Sequence, residues 1–302
     1  MFVPRLFGWE EVDVETYSHC YQAFGGGVVQ HPMVLRHVAK IGFRDTRYFC
    51  KSSRNGEVVA ALPCWGHYLA GDKDAMVHFG VDRVIDLGTP EVLLPFAASV
   101  RLWLPFHTKY LSAENVAHVR NRTAFNRGRS LCMGKGLGTQ GYSARTKQKR
   151  RNELKKFLAA GGQVHSVEEF SDLDLAELYA SLFFKRWGRH HPQRASLPMM
   201  MHELRPLLAG HVLSVDNQPC AFQLLLTSLT SRYYAVEYVN GGVDPAQHGL
   251  SPGTVVTWLN INQAWQRATD AGVEMRYSFG RNSAGYKELW GNESLLYRVV
   301  AP

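Results

Sequence analysis

Long hydrophobic runs are missing from this 302-residue chain. The best apolar stretch, Val92 to Val100, is nine residues long, contains Pro95 and is followed by Arg101. A membrane-spanning helix needs about 20 apolar residues, so none is expected. Cysteine is sparse: Cys20, Cys50, Cys64, Cys132 and Cys220 are odd in number, scattered and never spaced Cys-x-x-Cys. That pattern argues against a disulfide framework and suits buried free thiols in a reducing cytoplasm. The 13 histidines include no His-Glu-x-x-His and no Cys/His ligand spacing. His190 and His191 are adjacent and poorly placed to share one helical face, so no metal site is expected. The first ten residues lack a basic segment, a long apolar core and a cleavage site, so no secretory signal is expected.

What the chain does have is an ordinary globular composition, 45% hydrophobic and 20% charged. That is enough for one large core or two moderate ones. Its charge is unevenly spread. The whole chain nets +8, yet Arg120 to Lys156 holds twelve Lys/Arg and one acid, Glu153. The remainder therefore nets about −3. The basicity belongs to one segment, which points to an anionic partner: nucleic acid, a nucleotide-type cofactor or anionic lipid.

Periodicity and turn residues give an α+β order. Val14 to Phe24 predicts a helix ended by Gly25-Gly26-Gly27, and His31-Pro32 opens a second one that Gly42 stops. Arg47 to Lys51 and Val58 to Trp65 predict a hairpin around Asn55-Gly56. Short strands are expected near Val84 to Leu87 and Ser130 to Met133. The second half repeats this order. Leu173 to Trp187 and Pro198 to Ala209 read as helices, and His211 to Val215 with Cys220 to Thr227 as a hairpin around Asp216-Asn217. Asn55 and Asn217 stand at matching points 162 residues apart, so a structural duplication is expected. A strand (Tyr233 to Tyr238), a Gly-rich loop (Asn240 to Gly253), a helix (Thr254 to Ala271) and a strand (Glu274 to Phe279) follow. Leu295 to Val300 is a last strand.

The basic segment includes a helix from Ser143 to about Ala160. Its apolar stripe, Leu154, Phe157 and Leu158, continues backwards by helical steps onto Lys147, Arg150 and Arg151. Either its first turns, with Arg145, border a cleft that holds an anion, or the helix projects past the core edge. Gly249-Leu-Ser251-Pro-Gly253 spells a serine-hydrolase elbow. The residue after the serine is Pro252, which has no N–H for an oxyanion hole, so Ser251 reads as a helix cap. A strand, glycine loop and helix N-terminus also suits a phosphate-bearing cofactor, with Ser251 and Gly253 beside it. Gly134-Lys-Gly136-Leu-Gly138 lacks the Gly-Lys-Ser/Thr of a P-loop and reads as a connector.

This order resembles the GNAT acyltransferase fold present twice, as in the Fem-type aminoacyl transferases. Ser143 to Asn152 resembles the basic helix that opens their second half, and Leu250-Ser-Pro-Gly-Thr254 the loop before their cofactor-side helix. Tyr277-Ser-Phe-Gly280 with Gly285-Tyr-Lys287 resembles their Asp-Phe-Gly … Tyr-Lys ending, with Ser278 where many relatives carry Asp. Phe24-Gly-Gly26, His31 to Arg36, Asn152 to Phe157, Pro219 to Phe222 and Asn240 to Asp244 together resemble the macrophage-inducible (Mig-type, member fourteen) antimicrobial-peptide resistance family.

The resemblance implies tandem GNAT-like halves, residues 1–140 and 141–302, each a mixed sheet flanked by helices. It implies a cytoplasmic protein peripherally associated with the bacterial inner membrane. One expectation is an acyl or aminoacyl transferase with an acyl-CoA or aminoacyl-tRNA donor. Lys287 would then stand on a phosphate or on the developing oxyanion, Glu237 would be a base, and Arg281 and Tyr286 would place the donor. Arg145, Lys147, Arg150 and Arg151 would hold the polyanion. The other expectations are a non-catalytic protein of the same fold that binds lipid, RNA or a protein, and a basic segment docked on anionic lipid.

Overall fold

The computed structural model describes residues 3–41, 45–123, 129–282 and 285–301. Gly42, the expected helix stop, lies outside the described residues. The chain begins with α1 (Val3–Leu6), β1 (Glu10–Val12) and α2 (Val14–Phe24). Asp13 starts α2 by accepting the Thr16 N–H at 2.8 Å. In α3 (Pro32–Lys40) the capping group is the His31 ring, whose Nδ1 accepts the Met33 N–H at 3.1 Å. The hairpin β2 (Arg47–Ser52) and β3 (Val58–Trp65), then β4 (Tyr68–Leu69), complete an antiparallel sheet in the order β1-β2-β3-β4. Next come α4 (Lys73–Phe79), β5 (Thr108–Leu111) and β6 (Arg122–Thr123). The strand expected at Val84 to Leu87 does not form. A 3₁₀ turn ends on Val84, and the Asp86 carboxylate takes the Gly88 N–H at 2.9 Å and bends the chain.

The first half closes with β7 (Ser130–Gly134), and the second opens with α5 (Ala144–Ala159), β8 (Gly162–Ser166), α6 (Asp172–Trp187) and α7 (Leu197–Glu203). The last of these is shorter than expected. A 3₁₀ turn follows at Arg205–Leu207, where Pro206 cannot supply a helical N–H, and Leu208–Ala209 becomes β9. Then come β10 (His211–Val215), β11 (Gln218–Leu229), β12 (Tyr233–Val243), α8 (Pro252–Asp270), β13 (Glu274–Arg281), β14 (Gly291–Leu295) and β15 (Tyr297–Val299). The loop expected from Asn240 is shortened because β12 stays paired with β11 as far as Val243, across a bulge. The single strand expected at the end is two, β14 and β15, in different sheets.

The large sheet has the order β14-β7-β13-β12-β11-β10-β8, with β9 on β11. Among the described residues of this sheet, only β12 and β13 pair in parallel. Helices α5 and α8 cover one face, where Tyr234, Val236, Trp258, Ile261, Tyr277 and Trp290 pack. On the other face Leu224, Leu226, Ala235 and Val239 meet Leu175 and Leu182 of α6. The same cluster takes in Tyr17, Tyr21, Val34 and Leu35 of the first half. Helix, helix and hairpin thus occur twice, and the two copies share one core.

Sheet pairing also crosses position 140 in both directions. β7 inserts between β13 and β14, while β15 lies between β5 and β6 in a three-stranded sheet. Arg276 of β13 adds a buried ionic tie. Its guanidinium donates to Glu91 at 2.6 Å and Glu114 at 2.8 Å.

Candidate functional site

The parallel pair β12–β13 runs only from Tyr233↔Glu274 to Glu237↔Ser278. Beyond that point β12 follows β11, and β13 follows β7. The strands separate, and a cavity of about 360 Å³ lies past the gap. Its walls include Tyr238 and Gly241 of β12, Thr257 of α8, Tyr286 and Trp290. Arg150 of α5 and Arg186 of α6 also line it, from the two helical layers. Arg186 donates to the Gly241 carbonyl at 2.8 Å. Burial pushes the pKa of the Tyr238 hydroxyl, which lies beside the Arg186 and Tyr286 side chains, up to about 12. Gly241 is a close-approach position, because a Cβ there would lie 2.8 Å from the Tyr238 hydroxyl.

The start of α8 opens on this cavity. Ser251 stands at the N-cap position but does not cap. Its backbone is left-handed (φ 51°, ψ 45°) and its side chain accepts no helix N–H, whereas an N-cap serine needs an extended backbone. The cap expected from the sequence is therefore absent. Thr254 and Val255 donate to the Ser251 carbonyl. Pro252 has no N–H, and the Gly253 N–H has no acceptor among the described residues. Both Ser251 and Gly253 line the cavity. An uncapped helix start of this kind attracts an anion. In the first half, α4 is closed by its own carboxylate. Asp72 takes the Ala75 N–H with one oxygen, and Thr108 and the Lys109 N–H with the other.

Lys287 and Glu237 sit at the strand separation. The Lys287 ammonium, nearly buried, donates to the Phe279 carbonyl at 2.6 Å and the Arg281 carbonyl at 2.8 Å. Both carbonyls lie beyond the last β12–β13 register pair. Burial lowers the Lys287 pKa, opposed by Cys132 and Glu237. Glu237 is on the opposite face of β12 from Tyr238 and is 4% exposed. Ser278 donates to its Oε1 at 3.3 Å and accepts the Gly280 N–H at 3.1 Å. Burial raises the Glu237 pKa well above its ordinary value, more than the Ser278 bond lowers it, and nearby Glu91 adds to the rise. This environment favours its neutral form. An aspartate at 278 would set two carboxyls together there, which the serine avoids.

The basic helix turns most of its expected stripe inward, leaving out Arg151 and Leu158. Phe157 and Arg150 are buried and Lys147 and Leu154 half-buried, while Leu158, Arg145 and Arg151 are exposed. Arg150 lies over the Trp290 ring at 4.7 Å and donates to Glu153 at 2.7 Å. Lys147 donates to the Leu137 carbonyl at 2.5 Å, which ties the Gly134-to-Gly138 connector to the helix. Lys156 donates to the Gly249 carbonyl at 3.1 Å, just ahead of Ser251.

Of the residues singled out in the sequence, Ser251, Gly253, Tyr286 and Arg150 meet in the cavity. Lys287 and Glu237 stand at the strand gap, and Arg281 ends β13 and lends its carbonyl to Lys287. Arg145 and Arg151 lie on the outer surface of α5. Sequence reasoning missed Arg186, Tyr238 and Gly241. The first was hidden among the basic residues that end α6, and the other two by a strand expected to stop at Tyr238. Among the described residues no group of His, Cys, Asp and Glu is placed to hold a metal ion, and no helix is long and apolar enough to cross a membrane.

Comparison with known proteins agrees with this architecture. The sequence model of the Mig-14 family matches residues 31–299. No curated protein matches the chain in sequence. Among solved structures it is similar to FemX, with a TM-score of 0.56, 9% identity and 97% of each chain covered. It is also similar to a conserved protein of unknown function from Bacteroides thetaiotaomicron. There the TM-score is 0.52 at 12% identity, over 97% of this chain and 100% of that one. At such identities the likeness is one of fold, the α+β, Fem-type arrangement of tandem GNAT-like halves.

Proposed function

We propose, for a chain that belongs to the Mig-14 family, transfer of an acyl or aminoacyl group from a phosphate-bearing donor bound in the second half. What supports this reading is one observation: an uncapped helix start opening on a cavity bracketed by two arginines, Arg150 and Arg186. The donor phosphates would lie at Gly253 and Ser251, and the acyl carbonyl at the gap between β12 and β13. The acceptor's nucleophilic atom bonds to the acyl carbon, and the ester or thioester bond to the carrier breaks. The proton lost by the nucleophile goes to the leaving oxygen or sulfur.

Lys287 would offset the charge on the carbonyl oxygen, with two of its three N–H groups fixed by backbone carbonyls. Tyr286 would place the donor and Arg281 the carrier. Glu237, protonated, would steady the gap and act as a base only after losing its proton. On this reading the biological setting would be resistance to cationic antimicrobial peptides, at the cytoplasmic face of the inner membrane. A second reading, a non-catalytic binder of the same fold, is favoured by the engagement of Lys287 with two carbonyls.

Thermal shift at fixed salt, against acetyl-CoA, longer acyl-CoAs and aminoacyl-tRNA, tests the proposal. A donor at 100 times its dissociation constant adds about 2.7 kcal/mol. One donor class is expected to raise the melting temperature in wild type and less in Arg186→Ala. No shift with any donor refutes the proposal. A shift without turnover on candidate acceptors favours the binder.

A further inference from the structure

Another cavity, of about 420 Å³, opens in the first half on residues that the donor site does not use. Arg101, Arg120 and Arg122 line it together with Ala117 and Val119, and none of the five lines the donor cavity. The backbone sets the arginines there. Leu102 lies beside Val119, with its N–H on the His118 carbonyl at 2.9 Å and its carbonyl on the Arg120 N–H at 2.9 Å. Leu102 and Val119 are buried, so Arg101 and Arg120, the residues next to them, turn outward on adjacent segments. Arg122 opens β6, and its guanidinium bends back to donate to the Val119 carbonyl at 2.9 Å.

This scaffold is fastened on both sides. The His118 ring bonds the Val100 carbonyl at 3.0 Å. The Asn121 side chain accepts the Leu104 N–H at 3.0 Å and donates to the Leu104 and Val300 carbonyls at 2.8 Å and 3.0 Å. Three cations are therefore held at one concavity with no acid in its lining. Residues 97–122 contain one acid, Glu114, and it is bound to Arg276 at 2.8 Å. The side chains of Arg101 and Arg120 have no partner among the described residues. Like charges gathered in this way repel one another until an anion neutralises them.

We infer that Arg101, Arg120 and Arg122 form a binding site for a phosphate monoester, distinct from the donor cavity. The guanidinium fork matches phosphate oxygens. A monoester presents three terminal oxygens and a charge of about −1.5 to −2 at pH 7, one oxygen for each arginine. A diester has one terminal oxygen fewer and a single charge, so it leaves a guanidinium unanswered. The phosphate fills only part of the cavity, and Ala117 and Val119 leave an uncharged wall for the carbon part of the ester. The same group occurs free in solution and as the headgroup of phosphatidic acid. The site stands whether or not the chain transfers an acyl group.

Isothermal titration calorimetry on the full chain tests this with glycerol 3-phosphate and with the diester glycerophosphoglycerol. A second arm measures binding to phosphatidylcholine vesicles that contain phosphatidic acid or, at equal content, phosphatidylglycerol. The monoester is expected to bind at least about tenfold more tightly than the diester. Arg101→Gln and Arg120→Gln should each lose about tenfold or more on the monoester, the usual loss of a charge-assisted hydrogen bond. Arg186→Ala in the donor cavity and Arg151→Ala on α5 should leave this binding unchanged. Arg101 and Arg120 are exposed and unpaired, and melting curves would confirm folding of their variants.

Binding of glycerol 3-phosphate assigns a soluble ester. Binding to phosphatidic acid vesicles alone, with the same losses in the two variants, assigns a lipid headgroup. Equal binding of monoester and diester overturns the inference, as does binding that survives Arg101→Gln and Arg120→Gln together. Loss through Arg186→Ala in their place puts the phosphate in the donor cavity and overturns it too. So does the absence of binding in both arms.

Discussion

Replacing Glu237 by glutamine should stabilise the protein, and by more at higher pH. The carboxyl is 4% exposed, receives one hydrogen bond from Ser278 and has its pKa raised by burial. In the unfolded chain it titrates near 4.5. A group whose folded pKa is raised contributes stability that is fully present below its unfolded pKa and lost as pH rises through the folded one. Between those two values wild type loses about 1.4 kcal/mol per pH unit. Glutamine keeps the shape of the protonated acid, still accepts the Ser278 bond through its carbonyl, and cannot ionise. The unfolding free energy of Glu237→Gln minus that of wild type should therefore widen as pH rises above 5, by about 1.4 kcal/mol per unit until the folded pKa is reached. Urea denaturation at half-unit intervals measures it, and other titrating groups cancel in the difference. The pH at which the gap stops widening reads the folded pKa of Glu237 directly. A difference that stays flat across this range, within about 0.5 kcal/mol, would refute a protonated Glu237 and return it to the role of a ready base.

Five other substitutions test neighbouring parts of the fold. Arg276→Met should cost about 3–5 kcal/mol, because Glu91 is left buried without its partner, and adding Glu91→Gln should recover part of the loss in chemical denaturation. Ser251→Ala should cost less than about 0.5 kcal/mol, well under the usual loss at an N-cap, because its hydroxyl caps nothing; Ser251→Gly should gain about 0.5 kcal/mol by relieving a left-handed serine. Gly242→Ala would set a Cβ 2.4 Å from Leu182 Cβ and 2.7 Å from its carbonyl carbon. It should cost about 1–3 kcal/mol, lower the melting temperature, and weaken donor binding by shifting α6 and Arg186.

The sequence was most legible where signals are local. Val14–Phe24 and Val58–Trp65 are visible from caps, a turn and apolar spacing, and the structure has those same bounds. Ser143 starts α5 with a bond to the Thr146 N–H at 3.2 Å, as its position before a basic run suggested. Signals failed where tertiary packing decides. No local pattern shows that β12 continues through Asn240-Gly241-Gly242, because the close approach of α6 and the pairing with β11 select those glycines. The stripe on α5 was misjudged by one helical step, since Leu158 and Arg151 differ from Phe157 and Arg150 only in which of them meets Trp290 and the sheet. Ser251 read as a cap from its place in the sequence, and only the backbone shows that it is turned the wrong way. Arg186 drew no attention within Lys-Arg-Trp-Gly-Arg, because its value lies in a carbonyl 55 residues away.

The exchange of β7 and β15 across the middle of the chain bears on how the molecule comes apart. A cut near residue 140 would leave the second piece without the strand between β13 and β14, and the first without the strand between β5 and β6. Each fragment would expose two unpaired sheet edges together with part of the shared core, a state prone to aggregation. The intact chain should therefore melt in a single cooperative step, with calorimetric and van't Hoff enthalpies equal. Damage to the first half, however far from the donor cavity, would then be felt there as a lower melting temperature.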